Sequence, residues 1–176
     1  TAPEGGFYAT QDADTEGQEG KFFLWTPDEI RAVLGRGAKR FMEHYGVTAQ
    51  GNFEGQNILT FHGSFEQREA LAPAREQLFE ARKRRTPPGR DEKVLTSWNG
   101  LMLAAFAEAA RVLDRADYRQ IATRNADFLL TTLRSSEGRL WHTWIDGEVK
   151  VKGLLVDYAY LIEGLLALYQ TTFAPQ

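Results

Sequence analysis

The sequence predicts a mainly α-helical protein, a partial α/α toroid in which helical hairpins with inner and outer helices form a ring, with two β-hairpin insertions. Two observations predict this fold. Segments that are apolar on nearly every side alternate with segments that carry a single apolar stripe. The connection from an apolar segment to the striped one after it is very short, whereas the connections that lead back to an apolar segment are long.

The first β-hairpin is predicted near the N-terminus. Residues 6–11 and 21–26 are rich in aromatic and β-branched side chains and flank the acidic, glycine-containing segment 12–20. The two flanking stretches are therefore expected to pair, with 12–20 as the loop between them.

Capping signals predict the next helices. Thr26 and Glu29 have the spacing of a capping box with Pro at the first helical position, and Gly35 and Gly46 mark the ends of two short helices. Residues 51–61 are predicted to be extended or irregular.

A longer helix is predicted after this irregular stretch. Ser64 with Gln67 indicates its start, it runs to about Arg85, and Pro73 predicts a kink within it.

Three segments then carry the toroid prediction. Residues 97–113 are apolar almost all round and are predicted to be an inner helix, whereas residues 116–133 have one apolar stripe and are predicted to be an outer helix. Residues 154–173 are again apolar nearly all round, broken mainly by Asp157 and Glu163, and are predicted to be a second inner helix.

The second β-hairpin is predicted between residues 133 and 154. Asp146–Gly147 is the expected type I′ turn. Counting pairs back from this turn predicts which side chains face the protein: Leu140, His142, Trp144, Val149 and Val151.

Composition limits the partners. The net charge of −3 with interspersed charges provides no basic stripe for nucleic acid, and no apolar run is long enough to span a bilayer. The absence of cysteine excludes thiolate metal sites and fits a reducing compartment, so a cytoplasmic location is expected.

The chain ends suggest a piece of a larger domain. The sequence begins without an initiator Met and stops just after an inner helix. We therefore expect residues 1–176 to be a single internal fragment of a toroid domain. The missing hairpins should leave an apolar surface that favours self-association.

Four separated segments resemble one protein family. They are residues 5–26 (GGFYATQDADTEGQEGKFFLWT), 51–59 (GNFEGQNIL), 91–102 (DEKVLTSWNGLM) and 155–166 (LVDYAYLIEGLL). The family is the one that includes spermatogenesis-associated protein twenty and its bacterial relatives. The resemblance implies an N-terminal thioredoxin-like domain, absent from this chain, followed by a toroid related to N-acylglucosamine 2-epimerases and six-hairpin glycosidases. This chain would be the middle of that toroid.

The acidic segment 12–20 is the first candidate site. Asp12, Asp14 and Glu19 are candidate catalytic carboxylates for acid/base work on a sugar, and Trp25 is a candidate for binding it. Two other interpretations stay open: a tight acidic turn, and a calcium loop that lacks the required Glu because Phe23 stands at its twelfth position. No metal or cofactor is predicted.

The starts of the two inner helices form the second candidate site. Lys93, Trp98 and Asn99 are candidates for binding a sugar ring, and Asp157 and Tyr158 occupy the corresponding place on the next inner helix. Both pairs should face one opening, with Asp157 as a further catalytic candidate and Lys93 as its suggested partner. Helix capping and core packing are the competing interpretations.

A sugar 2-epimerase removes and returns a proton at the carbon beside a carbonyl group, and histidine is well suited to this task because its pKa is near neutral. His44 and His62 are predicted to be surface or capping residues, and His142 fits a packed hairpin position better than a pocket. No histidine is assigned as a base.

Two functions follow as hypotheses. The first is a carbohydrate-binding or carbohydrate-active domain with glycosidase-like or epimerase-like chemistry and a saccharide ligand. The second is a non-catalytic scaffold or interaction domain that serves the thioredoxin-like part of the parent chain. Converging carboxylates beside exposed aromatic rings favour the first hypothesis, and acids paired within turns favour the second.

Overall fold

The computed structural model describes residues 1–174, which form two compact units. Unit 1 contains residues 1–11 and 90–174, and unit 2 contains Asp12–Gly89. The helices are α1 (Pro27–Leu34), α2 (Ala38–His44), α3 (Phe65–Ala70), α4 (Ala72–Arg82), α5 (Thr96–Val112), α6 (Ala116–Thr132) and α7 (Leu155–Thr172). The strands are β1 (Thr10–Gln11), β2 (Asp14–Thr15), β3 (Gln18–Glu19), β4 (Arg90–Asp91), β5 (Val94–Leu95), β6 (Trp141–Ile145) and β7 (Glu148–Lys152). The protein is thus mainly α-helical with small antiparallel sheets.

The helices of unit 2 follow the predicted signals. The Thr26 hydroxyl accepts the Glu29 N–H while the Glu29 carboxylate accepts the Thr26 N–H, which completes the capping box of α1. The predicted kink is also confirmed, because the chain breaks between α3 and α4 at Leu71, two residues before Pro73. These helices enclose a core of Trp25, Ile30, Ala38, Phe41, Tyr45, Leu71 and Leu78.

The prediction for the first β-hairpin was wrong about its arms. The hairpin lies inside the predicted loop, where β2 pairs with β3. Glu16 and Gly17 both have positive φ, 53° and 75°, so the acidic segment makes its own two-residue primed turn. Residues 21–26 form no strand, and in unit 1 β1 pairs with β4 instead.

Three long helices form unit 1. α5 and α6 lie antiparallel, since only three residues connect them and Asn125 in the second half of α6 contacts Asn99 near the start of α5. α5 and α7 are parallel neighbours, because Ser97 bonds Asp157 at their N-terminal ends and Thr171 bonds the Ala107 carbonyl ten residues further along α5.

Glycine permits the close contact between α5 and α7. A Cβ atom placed on Gly100 would lie 2.5 Å from the Tyr160 carbonyl carbon, and one on Gly164 would lie 2.6 Å from the Gly100 oxygen. Two helices predicted as inner helices therefore pack backbone to backbone and in parallel. The closed ring of a toroid stays a prediction.

The second β-hairpin has the predicted turn and register. Asp146 and Gly147 have φ values of 50° and 83°, and Ile145 pairs with Glu148. Leu140 and Trp144 are buried as predicted. Val151 is not: it has a φ of 61° and is 58% exposed, since the regular pairing is interrupted there.

A large apolar surface remains exposed on α7. Although the helix is apolar almost all round, its buried residues are only Asp157, Leu161, Gly164 and Leu168, all on the side facing α5. Its exposed side chains include Leu155, Val156, Tyr160, Ile162, Leu166 and Tyr169. Within residues 1–174, no helix combines the length and apolar character that crossing a membrane requires.

Candidate functional site

A fully buried carboxylate joins three elements of unit 1. Asp157, in the first turn of α7, is 0% exposed. Its Oδ1 accepts the Ser97 N–H at 3.0 Å and its Oδ2 accepts the Leu154 N–H at 2.7 Å. The first bond satisfies the N-terminal end of α5 and the second satisfies that of α7, where backbone N–H groups have no helical acceptor.

The third partner of Asp157 is His142 of β6. The His142 Nδ1 lies 2.9 and 3.0 Å from the two carboxylate oxygens, so Nδ1 carries the hydrogen and donates it. The side chain is 24% exposed, and its Nε2 has no hydrogen-bond partner among the described residues. A buried carboxylate therefore orients an imidazole whose second nitrogen is free.

Local structure explains why these two residues meet. The type I′ turn sets β6 so that His142 lies on the same face as the buried Leu140 and Trp144. β6 pairs with β5, the strand that directly precedes α5, and the Thr96 hydroxyl donates a hydrogen bond to the Trp141 carbonyl. His142 thereby lies beside the two helix starts that Asp157 connects.

Asn99 is buried and its amide is engaged within unit 1. Its Oδ1 accepts the Phe7 N–H at 2.7 Å, and its Nδ2 donates to the Phe7 and Leu95 carbonyls at 3.0 Å. Asn125 adds a donor to the same Oδ1 at 2.9 Å. The predicted binding amide thus holds the N-terminal segment against α5.

Trp98 and Tyr158 line two different cavities of unit 1. Trp98 is 48% exposed and borders a cavity of about 560 Å³ with Phe7, Tyr8 and Arg90. Tyr158 is half-buried and borders a cavity of about 600 Å³ with the segment 135–141 and Lys152. The sequence prediction placed both aromatic residues at one opening.

The suggested pairing of Lys93 with Asp157 was wrong. The Lys93 Nζ lies 2.9 Å from Asp91 Oδ2, in the short turn between β4 and β5. Hydrogen bonds from the Lys93 side chain and backbone lower the pKa of Asp91. Asp157 is bound instead by two backbone N–H groups and an imidazole, all within 3.0 Å of its carboxylate oxygens.

The remaining sequence-predicted residues belong to unit 2. Asp12, Asp14 and Glu19 are exposed: Asp12 accepts the Asp14 N–H as in an Asx turn, and Asp14 faces Glu19 across the β2–β3 pair. Trp25 is 3% exposed, and its ring lies against the Arg85 guanidinium at 4.1 Å.

Sequence reasoning assigned no role to His142. Hairpin counting did place His142 on the protein-facing side of the strand, which was the available signal. His142 and Asp157 are 15 residues apart in the chain, so no local sequence pattern predicts their contact. Among residues 1–174, no group of three or more His, Asp or Glu side chains is arranged to hold a metal ion.

The fold and this site define a mainly α-helical domain with a carboxylate-held histidine at paired helix starts. No protein-family model matches the chain. The chain is similar to spermatogenesis-associated protein 20 from Homo sapiens, at 33% identity over 96% of this chain, and from Rattus norvegicus, at 34% identity over the same share. It is also 28% identical to the uncharacterized protein B0495.5 of Caenorhabditis elegans. The chain spans about a quarter of these relatives, 27% of the mammalian proteins and 29% of the nematode one.

Proposed function

We propose that unit 1 carries an acid/base site that acts on a carbohydrate bearing a carbonyl group, in the manner of a sugar epimerase or isomerase. The observation that carries this proposal is the pair His142–Asp157. The carboxylate is completely buried, the imidazole Nδ1 is bound to it, and Nε2 is free on a side chain that is 24% exposed. A histidine oriented in this way has the geometry of a general base, because the carboxylate fixes the ring and leaves Nε2 as the acceptor.

The proposed step is a proton transfer. His142 Nε2 takes the proton from a sugar C–H beside the carbonyl, and the electron pair of that bond moves into the carbonyl to give an enolate. Inversion of the carbon follows when a solvent water molecule on the opposite face protonates the enolate, and the imidazolium returns its proton to the resulting hydroxide, which regenerates the neutral base. Asp157 holds the ring through its hydrogen bond with Nδ1. Only protons move in this step, so it requires no oxidant or reductant.

Hydrolysis by two carboxylates has less support. Asp157 is fully buried and all its hydrogen bonds go to the protein, so it cannot approach a glycosidic oxygen. Asp12 is held in an Asx turn. For Asp157 the role of a positioning residue fits this burial better than that of a catalytic acid.

Carbohydrate as the substrate class rests on aromatic surface and on the resemblance of the sequence. Trp98 exposes about half of its surface at a cavity next to the start of α5, and an indole face suits stacking on sugar C–H groups. The segments 91–102 and 155–166, which carry the resemblance to a toroid family related to sugar epimerases, contain Trp98 and Asp157.

Solvent deuterium exchange tests the proposal. The full chain is incubated in D₂O with reducing aldoses, ketoses and N-acyl amino sugars, and loss of the C–H signal beside the carbonyl is followed by proton NMR. His142→Gln should lower the exchange rate by about 10²-fold or more, whereas His62→Gln in unit 2 should leave it unchanged. No exchange with any sugar, or equal rates in wild type and His142→Gln, contradicts the proposal.

A second candidate function is a non-catalytic interaction domain, and the exposed face of α7 favours it. Leu155, Ala159, Ile162, Leu166 and Tyr169 follow each other at alternating intervals of four and three residues and are all exposed. This is the spacing of a seam that receives another helix. We propose that a further helical hairpin of a longer parent chain, which also contains a thioredoxin-like domain in the cytoplasm, packs on this seam.

Covalent footprinting distinguishes this candidate. Hydroxyl radicals modify both tyrosine and phenylalanine, and their reaction at Tyr160 and Tyr169 is compared between the 176-residue chain and a longer natural protein that contains it. Lower modification of both side chains in the longer protein is expected, with the exposed Phe65 of unit 2 as a reference for reagent dose. Equal modification in the two proteins shows that no helix covers α7.

A further inference from the structure

The cavity beside Tyr158 carries a second inference, which is independent of the proposed proton transfer. It has a volume of about 600 Å³, and Arg139, Trp141, Lys152 and Tyr158 are among the residues that line it. Its size is that of a site for one small molecule. Neither the His142–Asp157 pair nor Trp98 lines it.

The walls of this cavity are held by backbone hydrogen bonds. The Leu140 N–H donates to the Tyr158 hydroxyl at 3.0 Å, and the Leu140 carbonyl accepts the Gly153 N–H at 2.7 Å. A Cβ atom on Gly153 would lie 2.8 Å from the Leu140 carbonyl oxygen, so glycine allows this close approach. Leu140 is thereby bound through its N–H to the first turn of α7 and through its carbonyl to the residue that precedes this helix by two positions.

The loop that contributes Ser135 and Arg139 to the cavity is also fixed. The Ser135 N–H donates to the Arg139 carbonyl at 2.7 Å, and the Ser135 Oγ accepts the Arg139 N–H at 3.1 Å. Gly138 closes the turn with a bond to the Ser135 carbonyl. The backbone that carries Arg139 is therefore ordered before any ligand binds, which lowers the entropy cost of binding.

The charges at this cavity are unbalanced. Arg139 and Lys152 each lack an ion-pair partner among the described residues, and one acidic side chain, Glu137, lines the cavity with them. By contrast, Lys150 on the same strand is neutralised by Glu148 at 2.9 Å. Trp141 and Tyr158 add aromatic surface to the same cavity, which therefore combines a place for a ring with donors for an anion.

We propose that this cavity binds a small ring-shaped molecule that bears a carboxylate or a phosphate, such as a sugar acid or a sugar phosphate. Arg139 and Lys152 bind the anionic group, with Arg139 providing a planar pair of donors. Trp141 contacts the ring. The site is distinct from the one proposed for proton transfer, and its ligand is recognised through charge.

Binding is measured directly by isothermal titration calorimetry on the full chain with three probes: glucuronate, glucose 6-phosphate and glucose. Glucuronate and glucose differ in the carboxylate, so the charged probe should bind at least about tenfold more tightly, and its affinity should fall as salt is raised. Glucose 6-phosphate distinguishes a phosphate from a carboxylate preference.

Charge-removing variants locate the site. Arg139→Gln and Lys152→Gln should each raise the Kd of the preferred anionic probe by about tenfold, the effect expected for one hydrogen bond to a charged group. Lys150→Gln, which removes the same charge outside the cavity, should leave the Kd within about twofold. Failure of both anionic probes to bind, equal binding of glucose, or an equal loss in Lys150→Gln overturns the proposal. None of these three outcomes depends on sugar proton exchange, so the two proposals fail separately.

Discussion

The contact between α5 and α7 yields a sharp prediction at Gly100. Replacing Gly100 with Ala raises intrinsic helix propensity by about 1 kcal/mol, so an isolated α5 would be stabilised. In the folded protein the new Cβ atom would lie 2.5, 2.6 and 2.7 Å from the Tyr160 carbonyl carbon, the Tyr160 oxygen and the Leu161 nitrogen. All three atoms are backbone, so none can move aside by a change of rotamer.

The magnitude follows from these distances. An ordinary contact needs about 3.4 Å, so the two helices must separate by roughly 1 Å at this point. A gap of that size forfeits a quarter to a half of the attraction between the facing atoms, and overpacking costs about 1–3 kcal/mol, occasionally more. Because all three close atoms are backbone, the upper part of this range, about 2–3 kcal/mol, applies here. After the gain of about 1 kcal/mol in propensity is subtracted, we expect Gly100→Ala to lower the free energy of unfolding by about 1–2 kcal/mol.

Urea denaturation followed by tryptophan fluorescence measures this change, since Trp98, Trp141 and Trp144 lie in unit 1. The melting temperature should fall by roughly 2–8 °C, given about 2–4 °C per kcal/mol for a protein of this size. Gly37→Ala is the matched control, because a Cβ atom there meets nothing within 4 Å, and it should be neutral or slightly stabilising. A Gly100→Ala protein as stable as wild type would refute the close backbone contact.

Three further predictions concern other contacts. Asn99→Ala should cost about 2–4 kcal/mol, because two Phe7 backbone groups lose their partner, and hydrogen exchange at the Phe7 amide should accelerate. Arg85→Lys should destabilise unit 2 in thermal melts, because a lysine cannot bond the Phe22 and Leu24 carbonyls together with Glu29 as the guanidinium does. Hydrogen bonds from Arg115 lower the pKa of Asp117 below its ordinary 3.8, so this carboxylate stabilises the fold above that pH and the contribution is lost as the pH falls through the folded pKa. Asp117→Asn should therefore lose less stability than wild type between pH 5 and pH 2, approximately, in melts recorded across that range, and an equal loss would contradict the assignment.

Local signals predicted much of the helical structure. The capping box at Thr26, the break before Pro73 and the Asp146–Gly147 turn all appear where the sequence indicated them. Each of these features depends on residues that lie within about four positions of one another, so tertiary packing has little influence on where it forms. The first hairpin was misassigned because residues 21–26 have the composition of a strand but form none. Whether such a segment pairs depends on which other segments pack beside it, and composition alone does not show this.

The candidate site could not be predicted in the same way. The sequence prediction paired Lys93 with Asp157 on charge alone. In the structure, Lys93 forms an ion pair with Asp91, two residues away. Asp157 is hydrogen-bonded to Ser97 and His142 instead. Burial decides this outcome, because a carboxylate that leaves water needs every nearby donor, including backbone N–H groups that a sequence does not display.

The sequence by itself determined the helix boundaries, the tight turns and the apolar character of α5 and α7, all of which follow from short-range spacing. Tertiary structure alone decided that these two helices run parallel in backbone contact at Gly100. It also decided that their starts share one buried carboxylate and that Trp98 and Tyr158 line separate cavities. The physical reason is that a local interaction is fixed by neighbours in the chain, whereas a contact across 60 residues depends on how whole helices pack.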